Sequence, residues 1–288
     1  MNPYQKQDVP LESLLPMLVM PEHDEIPHII VSISPCRSGT TAMLRVMGNM
    51  GVSAYFQPLK NLLRWKMQGQ LFSWTLPVGA SKTIYIKETL GPYSLAEATF
   101  NPLSLLLQAG VPPHKLHIWI YGRYPLHSYA SWLKWWQDKT NLNYFTTTYQ
   151  TIAQIYQQAI DANIITTTLT YEVLGRYPIT LIIARLAQRF GLTFTNKAVT
   201  GWQSQPHFGS IKSKIFLPEE PPIFVTPHIH DRVYKASEFT FVPVDNVAVD
   251  MIHQIDRQQM ESSGIFMLYD QWEANCLRDL QLLALDRG

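Results

Sequence analysis

Short apolar runs alternate with amphipathic stretches along most of the chain. Four runs rich in β-branched and aromatic residues predict buried strands at 28–34, 82–87, 116–121 and 164–169. Apolar residues at helical spacing predict helices at 103–109, 128–136 and 178–190. Strands that alternate with helices are typical of a parallel sheet covered on both faces. The pattern therefore predicts an α/β fold of three layers, with a central parallel sheet flanked by helices.

The two ends of the chain and one internal stretch depart from this alternation. Residues 1–27 are rich in proline and acids, which predicts a tail that packs on a single domain formed by residues 28–288. Within that domain, residues 203–244 hold Pro, His and Lys without periodicity, and a stretch of this length favours an irregular loop or lid over a simple connection. Residues 245–288 are predicted to form a C-terminal helical segment. Three roles remain open for residues 215–288: a lid, a wall of the substrate site, or a contact in a homodimer.

Composition and charge exclude several classes of protein. Hydrophobic residues make up 46% and charged residues 16% of the chain, which is far from the composition of disordered proteins. The 23 Lys and Arg residues balance the 22 Asp and Glu residues, so the chain lacks the overall basic charge that non-specific nucleic-acid binding requires. No apolar run is long enough to predict a transmembrane helix. Any site for an anion must therefore be local.

Cysteine and histidine usage adds little chemistry. Cys36 and Cys276 lie far apart in the sequence and form neither a disulfide framework nor a metal-binding pair. Such usage fits a reducing compartment, so we predict a cytoplasmic protein. His228 and His230 lie two residues apart without a third ligand at useful spacing, so no metal site is predicted.

A loop of small residues joins the first predicted strand to a helix. Residues 35–41 read Pro-Cys-Arg-Ser-Gly-Thr-Thr. A glycine lets the backbone approach an anion, free amides at a helix start point toward it, and hydroxyl groups add donors. The P-loops of ATP-binding proteins carry Lys directly after the last Gly, whereas here Thr40 follows Gly39 and the cation, Arg37, precedes it. The loop favours an anion site unlike that of a magnesium-dependent kinase; the alternative is a tight turn with Thr40 or Thr41 as helix cap.

A second candidate anion site follows the third predicted strand. Arg123 lies at the carboxyl end of this strand, where ligands bind in open α/β sheets. Pro125 suits the first turn of the next helix, and Ser128 and Ser131 are three residues apart, so both lie on one helical face. An Arg fork with one or two hydroxyls can hold a phosphate that the first loop does not reach. The alternative is an Arg that pairs with a local carboxylate beside two incidental serines.

The two motifs, in this order, resemble those of the sulfotransferases that use 3′-phosphoadenosine-5′-phosphosulfate (PAPS). Residues 35–41 resemble the phosphosulfate loop of that family, P-x-[RK]-S-G-T-[ST]. Arg123, Pro125 and Ser131 resemble its second motif. Residues 170–194 are similar to a third segment of the family, Y-E-x-L followed by Pro and a helix that ends near F-[LG]-G-L.

The resemblance, which extends over residues 28–215, implies a PAPS-dependent sulfotransferase whose fold is related to that of the P-loop nucleotide kinases. It also implies which residues hold PAPS, the co-substrate, without a metal. The 5′-phosphosulfate would be held by Arg37, Ser38, Gly39, Thr40 and Thr41. The 3′-phosphate would be held by Arg123 and Ser131, with Lys212 or Lys214 from the irregular stretch.

The implied reaction also needs a base, which is expected at the end of the strand predicted at 82–87, beside the loop of residues 35–41. In the resembled family this strand end carries a Lys and a His or Glu, and Lys87 matches the Lys. Many members have His two residues after the Lys, where this chain has Thr89. We therefore expect Glu88 to take the proton of the acceptor and Lys87 to stabilise the leaving phosphate. The alternative is a solvated surface pair.

Aromatic residues indicate what kind of acceptor the site would take. Trp132, Trp135 and Trp136 follow the second motif at helical spacing. Such stripes usually belong to the core, but any of them that line the site favour a small apolar or aromatic acceptor with a hydroxyl or an amine. Two other functions remain open: a P-loop kinase of a small molecule, and a nucleotide-binding or interaction protein that lacks the base, as Thr89 allows.

Overall fold

A computed structural model describes residues 9–79, 82–203, 214–226, 228–243 and 246–282. The strands in these residues are Leu18–Val19 (β1), His28–Pro35 (β2), Ser53–Phe56 (β3), Trp74–Thr75 (β4), Thr83–Leu90 (β5), Leu116–Gly122 (β6), Ile165–Thr170 (β7) and Ile215–Phe216 (β8). The α-helices are Thr40–Asn49 (α1), Pro58–Met67 (α2), Leu95–Ala98 (α3), Pro102–Gln108 (α4), Pro125–Trp136 (α5), Leu142–Asp161 (α6), Val173–Arg176 (α7), Ile179–Arg189 (α8), Asp231–Lys235 (α9), Asn246–Asp250 (α10), Gln254–Ser262 (α11) and Ile265–Asp279 (α12). Short 3-10 helices lie at Leu11–Met17, His23–Glu25, Pro113–Lys115, Asn196–Ala198 and Pro222–Phe224.

Six of the strands form one sheet in which every neighbouring pair is parallel. The order of the strands is β7-β6-β2-β5-β3-β8. β2 and β5 pair along their full length, from His28 beside Thr83 to Pro35 beside Leu90. β1 and β4 form a separate parallel pair. The prediction of a central parallel sheet is confirmed, and β3 and β8 are strands that the apolar pattern did not predict.

Side chains of the central strands alternate between the two faces of this sheet. Ile29, Val31 and Ile33 of β2 belong to one cluster of buried residues, to which α2, α4, α5 and α6 contribute. Ile30 belongs to a second cluster, to which α1 and α8 contribute. Both faces are therefore covered, as a parallel sheet requires, and the three-layer α/β prediction is confirmed.

The segments outside the predicted alternation pack on the same body. The 3-10 helix at Leu11–Met17 contacts α2 and α4, and both Leu14 and Met17 are buried. β8 brings part of the irregular stretch to the edge of the sheet beside β3. α12 packs along β7 at the opposite edge. Within the described part of the chain, no helix is both long and apolar enough to cross a membrane.

Candidate functional site

The carboxyl ends of β2, β5 and β6 open into one cavity of about 750 Å³. Open parallel sheets bind ligands at this edge, where the loops from adjacent strands meet. The predicted site residues that line the cavity are Arg37, Gly39, Thr40, Thr41, Lys87, Arg123 and Ser131. The fold thus brings together three segments that lie far apart in the sequence.

The backbone of the loop between β2 and α1 includes two residues with positive φ. φ is 70° at Arg37 and 85° at Gly39. A Cβ atom at Gly39 would lie 2.7 Å from the ring of Tyr171, so a residue larger than glycine does not fit without a shift of that ring. The hydroxyl of Ser38 is buried and donates to the carbonyl oxygen of Pro35 at 3.0 Å. The Ser38 side chain therefore shapes the loop and does not face the cavity.

Helix α5 holds the same loop from the side. The indole N–H of Trp132 donates to the carbonyl oxygen of Cys36 at 2.7 Å, and the hydroxyl of Ser128 donates to the same oxygen at 3.3 Å. Trp132 and Ser128 are fully buried. These two side chains therefore position the loop, which leaves Ser131 as the hydroxyl of α5 that faces the cavity.

Arg37, Arg123 and Ser131 converge on one wall of the cavity. The Nε of Arg37 donates to Ser131 Oγ at 3.1 Å, and Nη1 of Arg123 donates to the carbonyl oxygen of Arg37 at 2.6 Å. The Nε of Arg123 is buried without a hydrogen-bond partner among the described residues. Burial and the neighbouring charge of Arg123 lower the pKa of Arg37 to about 10, so this guanidinium stays charged at neutral pH.

Neither of these guanidinium groups forms an ion pair with a carboxylate of the described residues. The guanidinium of Arg123 instead lies 4.8 Å from the ring centre of Tyr171. The alternative prediction, that Arg123 pairs with a local carboxylate, is therefore wrong for the described residues. Two adjacent cations without a counter-charge form a site that suits an anion.

Lys87 reaches the cavity from the end of β5. Its side chain is buried, and its ammonium lies 4.1 Å from the ring centre of Phe56. Among the described residues this ammonium makes neither a hydrogen bond nor an ion pair. Burial lowers the pKa of Lys87 to about 7, and the charge of Lys60 contributes in the same direction. An anion in the cavity would favour the charged form of Lys87.

Glu88 points to the opposite face of the sheet, because successive side chains of a strand alternate. Its carboxylate accepts the backbone N–H of Leu59 at 2.9 Å and that of Lys60 at 3.2 Å, at the first turn of α2. The side chain is fully buried and is not part of the cavity wall. Burial raises the pKa of Glu88 to about 7. The structure therefore does not bring Glu88 to the position that its expected role as base requires; it gives Glu88 the role of a helix cap.

We expect Glu88→Ala to lower the free energy of unfolding by about 2–4 kcal/mol, because two buried N–H groups at the start of α2 lose their acceptor. Urea unfolding monitored by circular dichroism measures this change. Glu238→Ala serves as the control, since Glu238 is exposed and its replacement is expected to change the free energy by less than about 0.5 kcal/mol. Equal effects of the two substitutions would contradict the capping role.

Of the two lysines expected at the 3′-phosphate, the structure places Lys214 elsewhere. Lys214 precedes β8, and its ammonium donates to the carbonyl oxygen of Gly51 at 2.7 Å. Gly51 lies between the end of α1 and the start of β3, so this contact is at the amino edge of the sheet. The cavity is at the carboxyl edge, and Lys214 is not brought to it. Lys212 lies outside the described residues.

Several cavity residues were not predicted from the sequence. They are Gln57, Arg64, Tyr93, Glu220, Phe224 and His230. Arg64 is paired with Glu220 and with Glu97, and its guanidinium lies 4.7 Å from the ring centre of Phe224. These residues come from α2 and the residue before it, from the loop after β5 and from the irregular stretch, so no periodic pattern marks them as neighbours. The spacing of His228 and His230 bears only on metal binding, so it does not predict His230 as a cavity residue.

Aromatic residues form a wall of the cavity beside its cations. Trp135 and Trp136 line the cavity, whereas Trp132 is in the core. The guanidinium of Arg37 lies 5.3 Å from the ring centre of Trp135. Trp136 packs edge-on against Tyr93, with ring centres 5.8 Å apart. This aromatic wall therefore lies in direct contact with the cations of the cavity.

Comparison with models of known protein families found no match, and comparison with curated proteins found none either. Among solved structures, the chain is similar to retinol dehydratase, crystallised in a complex with retinol and PAP. The sequence identity is 12% and the TM-score is 0.44, over 89% of this chain and 84% of that chain. A likeness at this level does not bear on the function of the chain.

Proposed function

We propose that the protein is a sulfotransferase that moves a sulfuryl group from PAPS to a small acceptor. One observation carries the proposal. Arg37, Lys87 and Arg123 face one cavity, and none of them pairs with a carboxylate of the described residues. Buried or half-buried cations without counter-charges favour an anionic ligand. PAPS carries anionic groups on both sides of its ribose, which fits two separate anion motifs in one cavity.

In this proposal the loop before α1 binds the 5′-phosphosulfate. The backbone N–H groups at the start of α1 and the hydroxyls of Thr40 and Thr41 supply donors, and Arg37 supplies charge. Arg123 and Ser131 bind the 3′-phosphate, to which the unpartnered Nε of Arg123 can donate. Lys212 remains a candidate for the same phosphate.

The proposed role of Lys87 is to stabilise the charge that develops on the leaving oxygen. A sulfuryl group carries less negative charge than a phosphoryl group, so positioned Lys and Arg side chains can provide this stabilisation. The Lys87 ammonium has no hydrogen-bond or ion-pair partner among the described residues, which supports the assignment.

The aromatic wall supports a small, apolar or aromatic acceptor that carries a hydroxyl or an amine. Trp135 and Trp136, with Tyr93 and Phe224, offer flat apolar surfaces within the same cavity. Aromatic side chains of this kind bind planar groups by offset or edge-on packing.

The proposal is tested by thermal unfolding in the presence of 3′,5′-adenosine bisphosphate, ATP with Mg²⁺, or AMP. A ligand at about 100 times its dissociation constant adds about 2.7 kcal/mol to the free energy of unfolding. We expect this stabilisation with the bisphosphate and much less of it with the other two nucleotides. Arg123→Ala and Ser131→Ala should reduce it, whereas Arg185→Ala on α8 should leave it unchanged.

The other outcomes of this experiment, together with an assay for PAPS consumption, would each favour a different function. Greater stabilisation by ATP with Mg²⁺ would replace the proposal with a small-molecule kinase. Binding of the bisphosphate without consumption of PAPS would indicate a nucleotide-binding protein that lacks catalysis. Stabilisation by none of the three nucleotides would reject the proposal.

A further inference from the structure

Residues 228–243 pack against α1 and against the loop before it, the phosphate loop (residues 36–39), and several hydrogen bonds hold them there. Nη1 of Arg37 donates to the carbonyl oxygen of Ile229 at 3.3 Å. From α1, Nη1 of Arg45 donates to the carbonyl oxygens of Val233 at 2.7 Å and Ala236 at 3.0 Å. These contacts fix the position of the residue between them, His230.

The imidazole of His230 lies between the first turn of α1 and Phe56, the last residue of β3. Its Nδ1 is 3.4 Å from Oγ1 of Thr41. Its ring packs edge-on against Phe56, with ring centres 5.5 Å apart, and the Lys87 ammonium lies 4.1 Å from the centre of the same Phe56 ring. The ring of Tyr234 closes another side, with ring centres 5.9 Å apart. His230 therefore shares its surroundings with the residues proposed to hold the sulfuryl group.

The two nitrogens of this imidazole have different environments. Nδ1 has Thr41 as its partner, whereas Nε2 has no hydrogen bond to a described residue, and the side chain lines the cavity. With the proton on Nδ1, donated to the Thr41 hydroxyl, Nε2 presents a free lone pair. Burial holds the pKa of His230 well below its usual range, and the charges of Lys87 and Arg37 act in the same direction. The neutral form, which can accept a proton, is therefore favoured at neutral pH.

We infer that His230 is the general base of the proposed sulfuryl transfer, in place of Glu88. This inference rests on the proposed function. His230 lines the cavity beside Lys87 and the phosphate loop, whereas both carboxylate oxygens of Glu88 accept N–H groups on the other face of the sheet.

The proposed step moves one proton from the acceptor to His230 and one sulfuryl group from the donor to the acceptor. The O–H bond of the acceptor breaks and its proton passes to Nε2 of His230, while the acceptor oxygen forms a bond to sulfur. The bond between sulfur and the bridging oxygen of the 5′-phosphosulfate breaks, and its electron pair leaves with the nucleotide. His230 then releases the proton to water. The lowered pKa favours that release.

The test compares His230→Asn with His228→Asn. Asn keeps a donor near the position of Nδ1 but removes Nε2. His228 lies two residues away and its side chain is 81% exposed, which makes it a matched control. The readouts are thermal stabilisation by 3′,5′-adenosine bisphosphate and consumption of radiolabelled PAPS, with 2-naphthol, a panel of small phenols and alcohols, or water alone as acceptor.

For His230→Asn we expect the rate of PAPS consumption to fall about 10²–10⁴-fold, with stabilisation by the bisphosphate retained. His228→Asn should match the wild type in both readouts. The wild-type rate should also fall at acidic pH as His230 becomes protonated, and the residual rate of His230→Asn should lack this inflection.

Imidazole NMR gives a readout that does not depend on turnover. The bisphosphate should shift the His230 signal and raise the pKa of His230, because an anion favours the imidazolium form. The His228 signal should stay in place. An unmoved His230 signal would place this residue away from the ligand and overturn the inference.

The remaining outcomes separate this inference from the proposed function. A His230→Asn variant within about fivefold of the wild-type rate would overturn the role of His230 alone. Loss of bisphosphate binding in that variant would also overturn it, in favour of a binding role. If the wild-type protein binds the bisphosphate but consumes no PAPS, the inference that His230 acts as a base is rejected. Wild-type protein that neither binds nor reacts would reject the proposed function, and the inference with it.

Discussion

Glu97→Ala is expected to lower the free energy of unfolding by about 3–5 kcal/mol. The Glu97 carboxylate is fully buried and lies 2.7 Å from Nε of Arg64 and 3.3 Å from Nζ of Lys60. It also accepts the backbone N–H of Tyr93 at 3.4 Å. Removal of this carboxylate leaves two buried cations with less compensation, and the cost of a buried charge without its partner is high.

The same substitution should disturb the cavity, because Glu97 supports the residues behind its wall. Nζ of Lys60 also contacts the Gly91 carbonyl oxygen and lies 3.8 Å from Sγ of Cys36, which belongs to the phosphate loop. We therefore expect stabilisation by 3′,5′-adenosine bisphosphate to weaken together with the fold. Urea unfolding at neutral pH, with and without the bisphosphate, measures both effects.

Glu273→Ala provides the control for this prediction. Glu273 pairs with Arg176, whose side chain is 47% exposed, so the pair is screened by solvent. Exposed pairs contribute about 0–1 kcal/mol. If the two substitutions had similar effects on the free energy of unfolding, burial of the Glu97 cluster would not be the source of its stability.

Lys87→Met is expected to lower the rate of the proposed sulfuryl transfer about 10²–10³-fold. Met keeps most of the volume and the apolar contact with Phe56 but removes the charge. Because the Lys87 ammonium has no partner among the described residues, its loss leaves no other buried group unpaired. Thermal unfolding should therefore show a folded variant whose defect lies in the site.

The pKa of Lys87 gives this prediction a pH dependence. The pKa is about 7 in the folded protein, below the usual value, so Lys87 loses its charge as the pH rises through 7. The affinity for the bisphosphate should fall over that range in the wild type and stay flat in Lys87→Met. In the absence of ligand, the unfolded chain binds the Lys87 proton more tightly, so this group makes the wild type more stable as the pH rises above 7.

Lys82→Met is the matched control for Lys87→Met. Lys82 is exposed and lies just before the other end of β5. Lys82→Met should leave the transfer rate, the affinity for the bisphosphate and the pH dependence of both unchanged. A flat wild-type profile, or a loss of affinity in both variants, would contradict a site-specific role for the Lys87 charge.

The sequence by itself determined the parts of this protein that depend on neighbouring residues. β-branched runs predicted four strands of the sheet, β2, β5, β6 and β7, close to their observed bounds. The anion motifs could be found because a glycine, hydroxyls and Arg at fixed spacing need only the end of one strand and the start of one helix. Helix α6 is not among the predicted helices, but its stripe of Phe145, Tyr149, Ile152 and Ile155 lies at helical spacing, so it too is a property of the local sequence.

The tertiary structure decided which of the candidate side chains reach the cavity. Lys87 and Glu88 are adjacent in the sequence, but the pleat of β5 sends them to opposite faces, and the face on which α1 or α2 packs is fixed only when the sheet forms. Lys214 is carried to the amino edge by β8, a strand of two residues with no periodic signal. His230 meets Thr41 across 189 residues. Contacts of this kind depend on long-range packing, so local sequence patterns carry no signal for them.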